Sequence, residues 1–172
     1  MNRALLLVTA VLALVVVAFS VAAYPSLLAE IPTHFGVAGA DRYAARSLGR
    51  WLSMPLLALG LCALNYLVGA LFANRPQLMN IPRKQRLLAL PPEKRRHVMR
   101  WWWVLVQTIG VAELVLIGAA QYGLWRAAMA RAYEGRLVGM VVAFVAFAMV
   151  PLSLVIVWQM RGEVERQERE PG

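Results

Sequence analysis

The chain has 172 residues, of which 60% are hydrophobic and 16% are charged, and its formal net charge is +9. Soluble domains are nearer half apolar and a quarter charged, and so apolar a chain would leave large apolar patches facing water. This composition argues against a soluble enzyme and predicts a single membrane domain over residues 1–172. Since Lys and Arg flank the apolar runs, the expected partner for the positive charge is membrane lipid, not nucleic acid.

Four apolar segments are long enough to cross a bilayer as helices, which takes about 20 apolar residues each. Lipid offers no partner to an exposed peptide group, so only helices and closed barrels can span it. The segments lack the alternation of barrel strands. The predicted fold class is therefore all-α, an integral membrane bundle of four transmembrane helices. The predicted helices cover residues 4–24, 51–73, 101–122 and 137–159.

The first apolar segment also has features of a cleaved signal peptide, because Arg3 precedes an apolar run that reaches small residues at Ala22 and Ala23. However, the uncharged run continues from Ala4 to Ala29, longer than an ordinary signal core. No polar stretch precedes the small residues. We expect a retained helix, with cleavage as the alternative.

Residues 25–50 connect the first two predicted helices. Two prolines in this loop hinder a continuous helix and favour extended backbone before them, and two glycines permit turns with positive φ. We expect an ordered segment, extended and then turned, with Ile31 and Phe35 packing inward. The prolines and glycines concerned are Pro25, Pro32, Gly36 and Gly39.

The same loop carries a short motif, which reads Ile31-Pro32-Thr33-His34-Phe35-Gly36 and then Gly39 and Asp41. Placed between two membrane helices, it resembles the bacterial membrane family called domain of unknown function 1648, which occurs in the SdpI toxin-immunity and signalling protein. The resemblance covers residues 12–67 and implies a multi-pass protein of the bacterial inner (cytoplasmic) membrane, with toxin immunity or signalling as its context. The residues expected to bind an extracytoplasmic protein or peptide are Ile31, Pro32, His34, Phe35, Gly39 and Asp41.

The flanks of the motif differ from the family pattern. Ala29 stands where members usually have proline. Ala40 precedes Asp41 where members carry a polar or acidic residue, and Arg42 follows Asp41 where members carry glycine. The chain is also shorter than SdpI-type proteins. Immunity therefore does not transfer directly from the resemblance.

Three loop residues also fit a metal-site hypothesis, because imidazole and carboxylates bind zinc. His34, Asp41 and Glu30 lack the spacing of a ligand motif, however, and we predict no metal and no cofactor. Loop organisation is the simpler interpretation of His34, and Asp41 is predicted to cap a helix that starts at Arg42.

The predicted second and third helices each carry a stripe of small and polar residues, a pattern typical of helix packing in membranes. Glu113 is the residue of these stripes that costs most to insert into a membrane, since insertion scales assign about 2.5–3.5 kcal/mol to a charged side chain at mid-span. We expect Glu113 to be a neighbour of Asn65 and at least partly protonated, acting as interhelical glue, as a proton-coupled carboxyl or in an oligomer contact. The intramembrane polar residues singled out are Asn65, Gln107, Glu113 and Gln121.

Residues 74–100 form a basic loop, and one predicted side of the bundle holds twelve Lys and Arg against six on the other. The richer side should be cytoplasmic, with both termini inside and the loop at residues 25–50 outside. The tryptophans at the span ends are predicted interface anchors. The tail at residues 161–172 is predicted to be a solvated, fraying helix end. The residues expected at the lipid surface are Arg83, Lys84, Arg86, Lys94, Arg95, Arg96 and Arg100.

No nucleophile elbow, phosphate loop or zinc-protease motif is present in the sequence, so we predict a nonenzymatic protein. The leading hypothesis is a membrane module whose outward loop contacts an extracytoplasmic partner. The second is a small proton-linked transporter that uses Glu113, acting as a homo-oligomer. The third is a scaffold subunit of a membrane complex.

Overall fold

The computed structural model describes residues 2–36, 39–81, 83–130 and 135–169, and for residues 35, 36, 39, 130 and 135–138 it describes the backbone alone. It confirms four helices long and apolar enough to cross a membrane. It also contains a two-stranded antiparallel hairpin, which the all-α prediction lacked. In chain order the elements are α1 Arg3–Ala23, β1 Glu30–Gly36, β2 Gly39–Ala45, α2 Leu48–Asn74, α3 Lys84–Ala89, α4 Pro92–Ala130 and α5 Gly135–Arg169.

Helix α4 is the centre of the bundle and packs against α1, α2 and α5. The backbone amide of Asn2 lies 3.0 Å from Gln107 Oε1, and Trp125 Nε1 donates to Ser26 Oγ at 3.1 Å, so α1 runs parallel to α4. Helix α2 runs antiparallel to α4, because Trp51 lies beside Gln121 at one end and the opposite end of α2 contacts the start of α4. Consecutive spanning helices therefore alternate in direction, up-down-up-down.

Helices α4 and α5 are longer than the predicted spans. Helix α4 has 39 residues and extends about 58 Å, against a hydrocarbon thickness of about 30 Å. It starts at Pro92 instead of residue 101, so its first turns lie outside the apolar span. We call the end of the bundle with these turns the basic end, and the opposite end, which carries β1 and β2, the hairpin end.

The basic end has its own hydrophobic core. Buried side chains from the segment at residues 79–90 and from the two long helices meet there, namely Met79, Leu87, Leu90, Val98, Met99, Met160 and Val164. The predicted basic loop is therefore a folded layer that includes the short helix α3.

The tail prediction is wrong for residues 161–169. This segment continues α5, and Val164 and Gln167 are buried in it. Arg83 forms an ion pair with Glu165, and Arg86 Nη1 lies 3.4 Å from Glu168 Oε2. The apolar side of the tail packs on the basic-end core, and its carboxylates meet arginines of the loop, so it is not a solvated end.

Candidate functional site

The hairpin is anchored to the bundle through its first strand and the turn before it. Ile31 is 4% exposed and belongs to a buried cluster with Leu27 and Trp51. Trp51 Nε1 donates to the Ser20 carbonyl at 2.6 Å, which joins α1 to α2 directly beneath the hairpin. Because this cluster draws on α1, β1, α2 and α4, the hairpin is held in one position relative to the spans.

Arg46 closes the base of the hairpin. Its Nη1 donates to the Leu27 carbonyl at 2.7 Å, and its backbone amide donates to the Ala29 carbonyl at 2.8 Å. Its guanidinium also lies 5.3 Å from the centre of the Tyr24 ring, within the range of a cation–π contact. Sequence patterns predicted no role for Arg46, since the carbonyls that it binds become neighbours only when the chain turns back on itself.

The far part of the hairpin carries an exposed hydrogen-bonded pair. His34 Nδ1 lies 2.6 Å from Asp41 Oδ1, and the two side chains are 54% and 49% exposed. The hydrogen bond with His34 lowers the pKa of Asp41 below its ordinary value of 3.8. The carboxylate therefore stays charged at neutral pH and is fixed in direction by the imidazole.

The prediction that Asp41 caps a helix is wrong. Residues 39–45 form strand β2, and α2 begins only at Leu48, where Ser47 accepts a hydrogen bond from the Arg50 amide at 3.3 Å. Residues 42–45 pair with β1 instead of starting a helix, and Asp41 contacts His34 across the two strands.

The structure divides the predicted partner-binding residues into two groups. Ile31 and Pro32 are buried, whereas His34 and Asp41 are exposed to solvent. Phe35 and Gly39 lie on paired strands opposite Ala40 and Gly36, and the side chain of Phe35 is outside the described part of the chain. Glu30 pairs with Ala45 at the other end of the hairpin and is separated from His34 and Asp41.

Two further residues of β2 that sequence analysis did not select are also exposed. Arg42 and Tyr43 follow Asp41 on β2, and Tyr43 is exposed by 42%. As consecutive strand residues they lie on opposite faces of the hairpin. They were missed because the segment was predicted to be helical.

The intramembrane polar residues lie between helices. Gln107 is fully buried, and its Nε2 donates to the Asn2 carbonyl at 2.9 Å while its Oε1 accepts from the Asn2 amide. Gln121 is also fully buried, and its Nε2 donates to the Trp51 carbonyl at 3.2 Å. Each glutamine thus binds the backbone of a neighbouring helix at one end of the bundle.

Asn65 and Glu113 lie near the same contact between α2 and α4. Asn65 Nδ2 donates to the Val106 carbonyl at 2.9 Å, and Cys62 Sγ is 3.9 Å from the Gly110 carbonyl. Glu113 is one helical turn beyond Gly110. Its Oε2 atom is buried and has no hydrogen-bond partner in the described part of the structure.

The family comparison matches residues 11–59 to the model described as Domain of unknown function (DUF1648). The matched region begins in α1, contains the whole hairpin and ends in the first half of α2. It therefore coincides with the hairpin end of the bundle, whereas α4 and α5 lie outside it. No curated protein and no solved structure matches the chain.

Proposed function

We propose that the protein is a nonenzymatic membrane module whose hairpin binds an extended segment of an extracytoplasmic protein or peptide. The hairpin end faces outward in this proposal, since the excess of Lys and Arg lies at the other end and positive charge favours the cytoplasmic side. Toxin immunity or signalling is the context that we propose, because the resemblance carried by the loop motif implies it.

The observation that supports this proposal best is the exposed His34–Asp41 pair on an anchored hairpin. Exposed ion pairs contribute little to stability, about 0–1 kcal/mol, and the buried contacts that hold the hairpin lie at its base. Such a pair is more useful for recognition than for stability. Its two side chains are already oriented before a partner arrives, so less conformational freedom is lost on binding.

Strand β2 adds a second means of recognition. Its only strand partner in the described part of the chain is β1, and β1 lies against α4. Strand β2 therefore has an edge on which an extended peptide can add a further strand, and β2 contains no proline to interrupt that edge. Tyr43 offers an aromatic side chain beside this edge.

Crosslinking from the hairpin tests this function. A photoreactive amino acid in place of Tyr43 should capture a partner in native membranes, whereas the same group in place of Leu57, which is 52% exposed on α2, should capture lipid. Asp41→Asn should reduce the Tyr43 crosslink at least about fivefold, since the anion is removed and a neutral amide makes a weaker hydrogen bond with His34. Mass spectrometry of the crosslinked product measures the yield.

Glu113→Gln is the matched control for this crosslinking. Because Glu113 lies in the span, its replacement should leave the yield from position 43 unchanged. An undiminished crosslink in the Asp41→Asn variant contradicts a recognition role for the pair.

A second candidate function, proton-linked transport, is favoured by the unpartnered Oε2 of Glu113. A carboxyl without a hydrogen-bond partner is costly in a membrane, and such groups frequently mark proton or substrate pathways. The hairpin contributes nothing to this function.

Transport predicts the opposite sensitivity to mutation. In proteoliposomes with a pH gradient, the wild-type chain should move protons, and Glu113→Gln should abolish this flux because an amide, unlike a carboxyl, does not ionise at neutral pH. Asp41→Asn should leave the flux unchanged. A wild-type flux equal to that of empty liposomes rules out this second function.

A further inference from the structure

The basic segment is divided by the structure into two groups with different surroundings. Arg83 and Arg86 face the carboxylates of the tail, and Lys94 Nζ donates to the Gln167 carbonyl at 3.0 Å. Arg95, Arg96 and Arg100 instead surround a cavity of about 650 Å³ on the α2 side of α4. The contacts of the first group hold the tail on the bundle.

The cavity lies where the apolar spans end. Its walls include Ala73 in the last turn of α2 and Trp103 on α4. Arg100 is three residues before Trp103, about 4.5 Å closer to the basic end along the helix axis. Tryptophan prefers the headgroup level of a bilayer, so the arginines are placed at or just beyond the phosphate layer.

The arginines around the cavity have unused hydrogen-bonding capacity. Arg95 Nη2 donates to the carbonyls of Leu88 and Leu90, but its Nε is buried and has no partner in the described part of the chain. The Arg96 side chain is 77% exposed, and its Nη2 lies 3.9 Å from Glu93 Oε1.

Pro92 also lines the cavity, and it opens the 39-residue helix α4. The first turn of a helix presents backbone amides without intrahelical partners and carries a partial positive charge. Three arginine side chains and the start of a helix thus line one space. A neighbouring cavity of about 290 Å³ between α4 and α5 is less suited to an anion, because Glu163 lines it.

We propose that this cavity binds the phosphate headgroup of an anionic phospholipid, with Arg95, Arg96 and Arg100 as its ligands and the acyl chains lying along the lipid-facing sides of α2 and α4. The apolar walls formed by Ala73 and Trp103 continue into the spans, which favours a lipid over free phosphate. The bound lipid links the end of α2 to the start of α4.

Native mass spectrometry on the delipidated full-length protein in uncharged detergent tests this site. Added phosphatidylglycerol should bind and stay bound in the spectrometer, whereas added phosphatidylcholine with the same acyl chains should not. The double variant Arg96→Gln, Arg100→Gln should weaken phosphatidylglycerol binding at least about tenfold, since each arginine near an anionic headgroup contributes to binding.

A second double variant, Lys84→Gln with Arg86→Gln, removes the same charge outside the cavity and should keep wild-type affinity. Equal weakening in both double variants overturns the site, because net charge alone would then explain it. Single replacement Arg96→Gln keeps the test valid if the double variant misfolds, since this exposed side chain supports no buried contact, and it should weaken binding several-fold. Inorganic phosphate that competes fully with phosphatidylglycerol would show a free-phosphate site and overturn the lipid assignment.

Discussion

Replacing Gly69 with leucine should separate α2 from α4 and lower the stability of the bundle by about 1–3 kcal/mol, the usual cost of overpacking. A Cβ atom at this position would lie 2.8 Å from Val106 Cγ1 and 2.9 Å from Val106 Cγ2. Valine in a helix has one strongly preferred rotamer, so Val106 cannot turn away. The hydrogen bond from Trp102 Nε1 to the Gly69 carbonyl, 2.9 Å long, should be lost as well.

Gly60 provides a matched control on the same helix, since a Cβ there meets nothing within 4 Å. Gly60→Leu should leave the unfolding midpoint, measured by denaturant titration in detergent micelles, unchanged or slightly raised. Val106→Ala in the Gly69→Leu background should recover part of the loss, because the two side chains compete for one space. Equal midpoints for Gly69→Leu and Gly60→Leu contradict the close contact.

Trp51→Ala should have the largest effect of any single change at the hairpin end, about 3–5 kcal/mol. Trp51 is 3% exposed and packs with Ile31 and Leu27, so its loss opens a cavity beneath the hairpin. It also leaves the Ser20 carbonyl without its indole donor. The hairpin should become mobile, which faster amide hydrogen exchange over residues 30–45 would report.

Trp158 is the matched control for this prediction, because its side chain is 67% exposed on α5. Trp158→Ala should change the free energy of unfolding by less than about 0.5 kcal/mol, as expected for an exposed position without special contacts. Unchanged hydrogen exchange over the hairpin in Trp51→Ala would show that other contacts anchor it.

The four spans were predictable because crossing a bilayer is a property of each segment taken alone. Some 20 apolar residues and a helical backbone satisfy that requirement without any tertiary neighbour. The ends of α4 and α5 were not predictable in this way. Residues 92–100 and 161–169 are polar, and they are held together by the basic-end core, whose members come from separate parts of the chain.

The candidate site was predicted in part. His34 and Asp41 were selected from the motif, but their direct contact required the hairpin register, which places His34 opposite Arg42 with an irregularity on either side. The helical prediction failed for residues 42–45 because strand pairing with residues 30–36 overrides the local preference of an alanine- and arginine-rich segment.

Sequence by itself determined that lipid is the solvent for this chain, how many times the chain crosses it and where the polar residues within the spans are. Tertiary structure alone decided which of these residues meet. It placed Gln107 on Asn2 and Gln121 on Trp51, folded Arg83 and Arg86 against the tail, and left Arg96 and Arg100 around a cavity. The physical reason is that hydropathy adds up along a segment, whereas a hydrogen bond or an ion pair depends on the distance between atoms far apart in the chain.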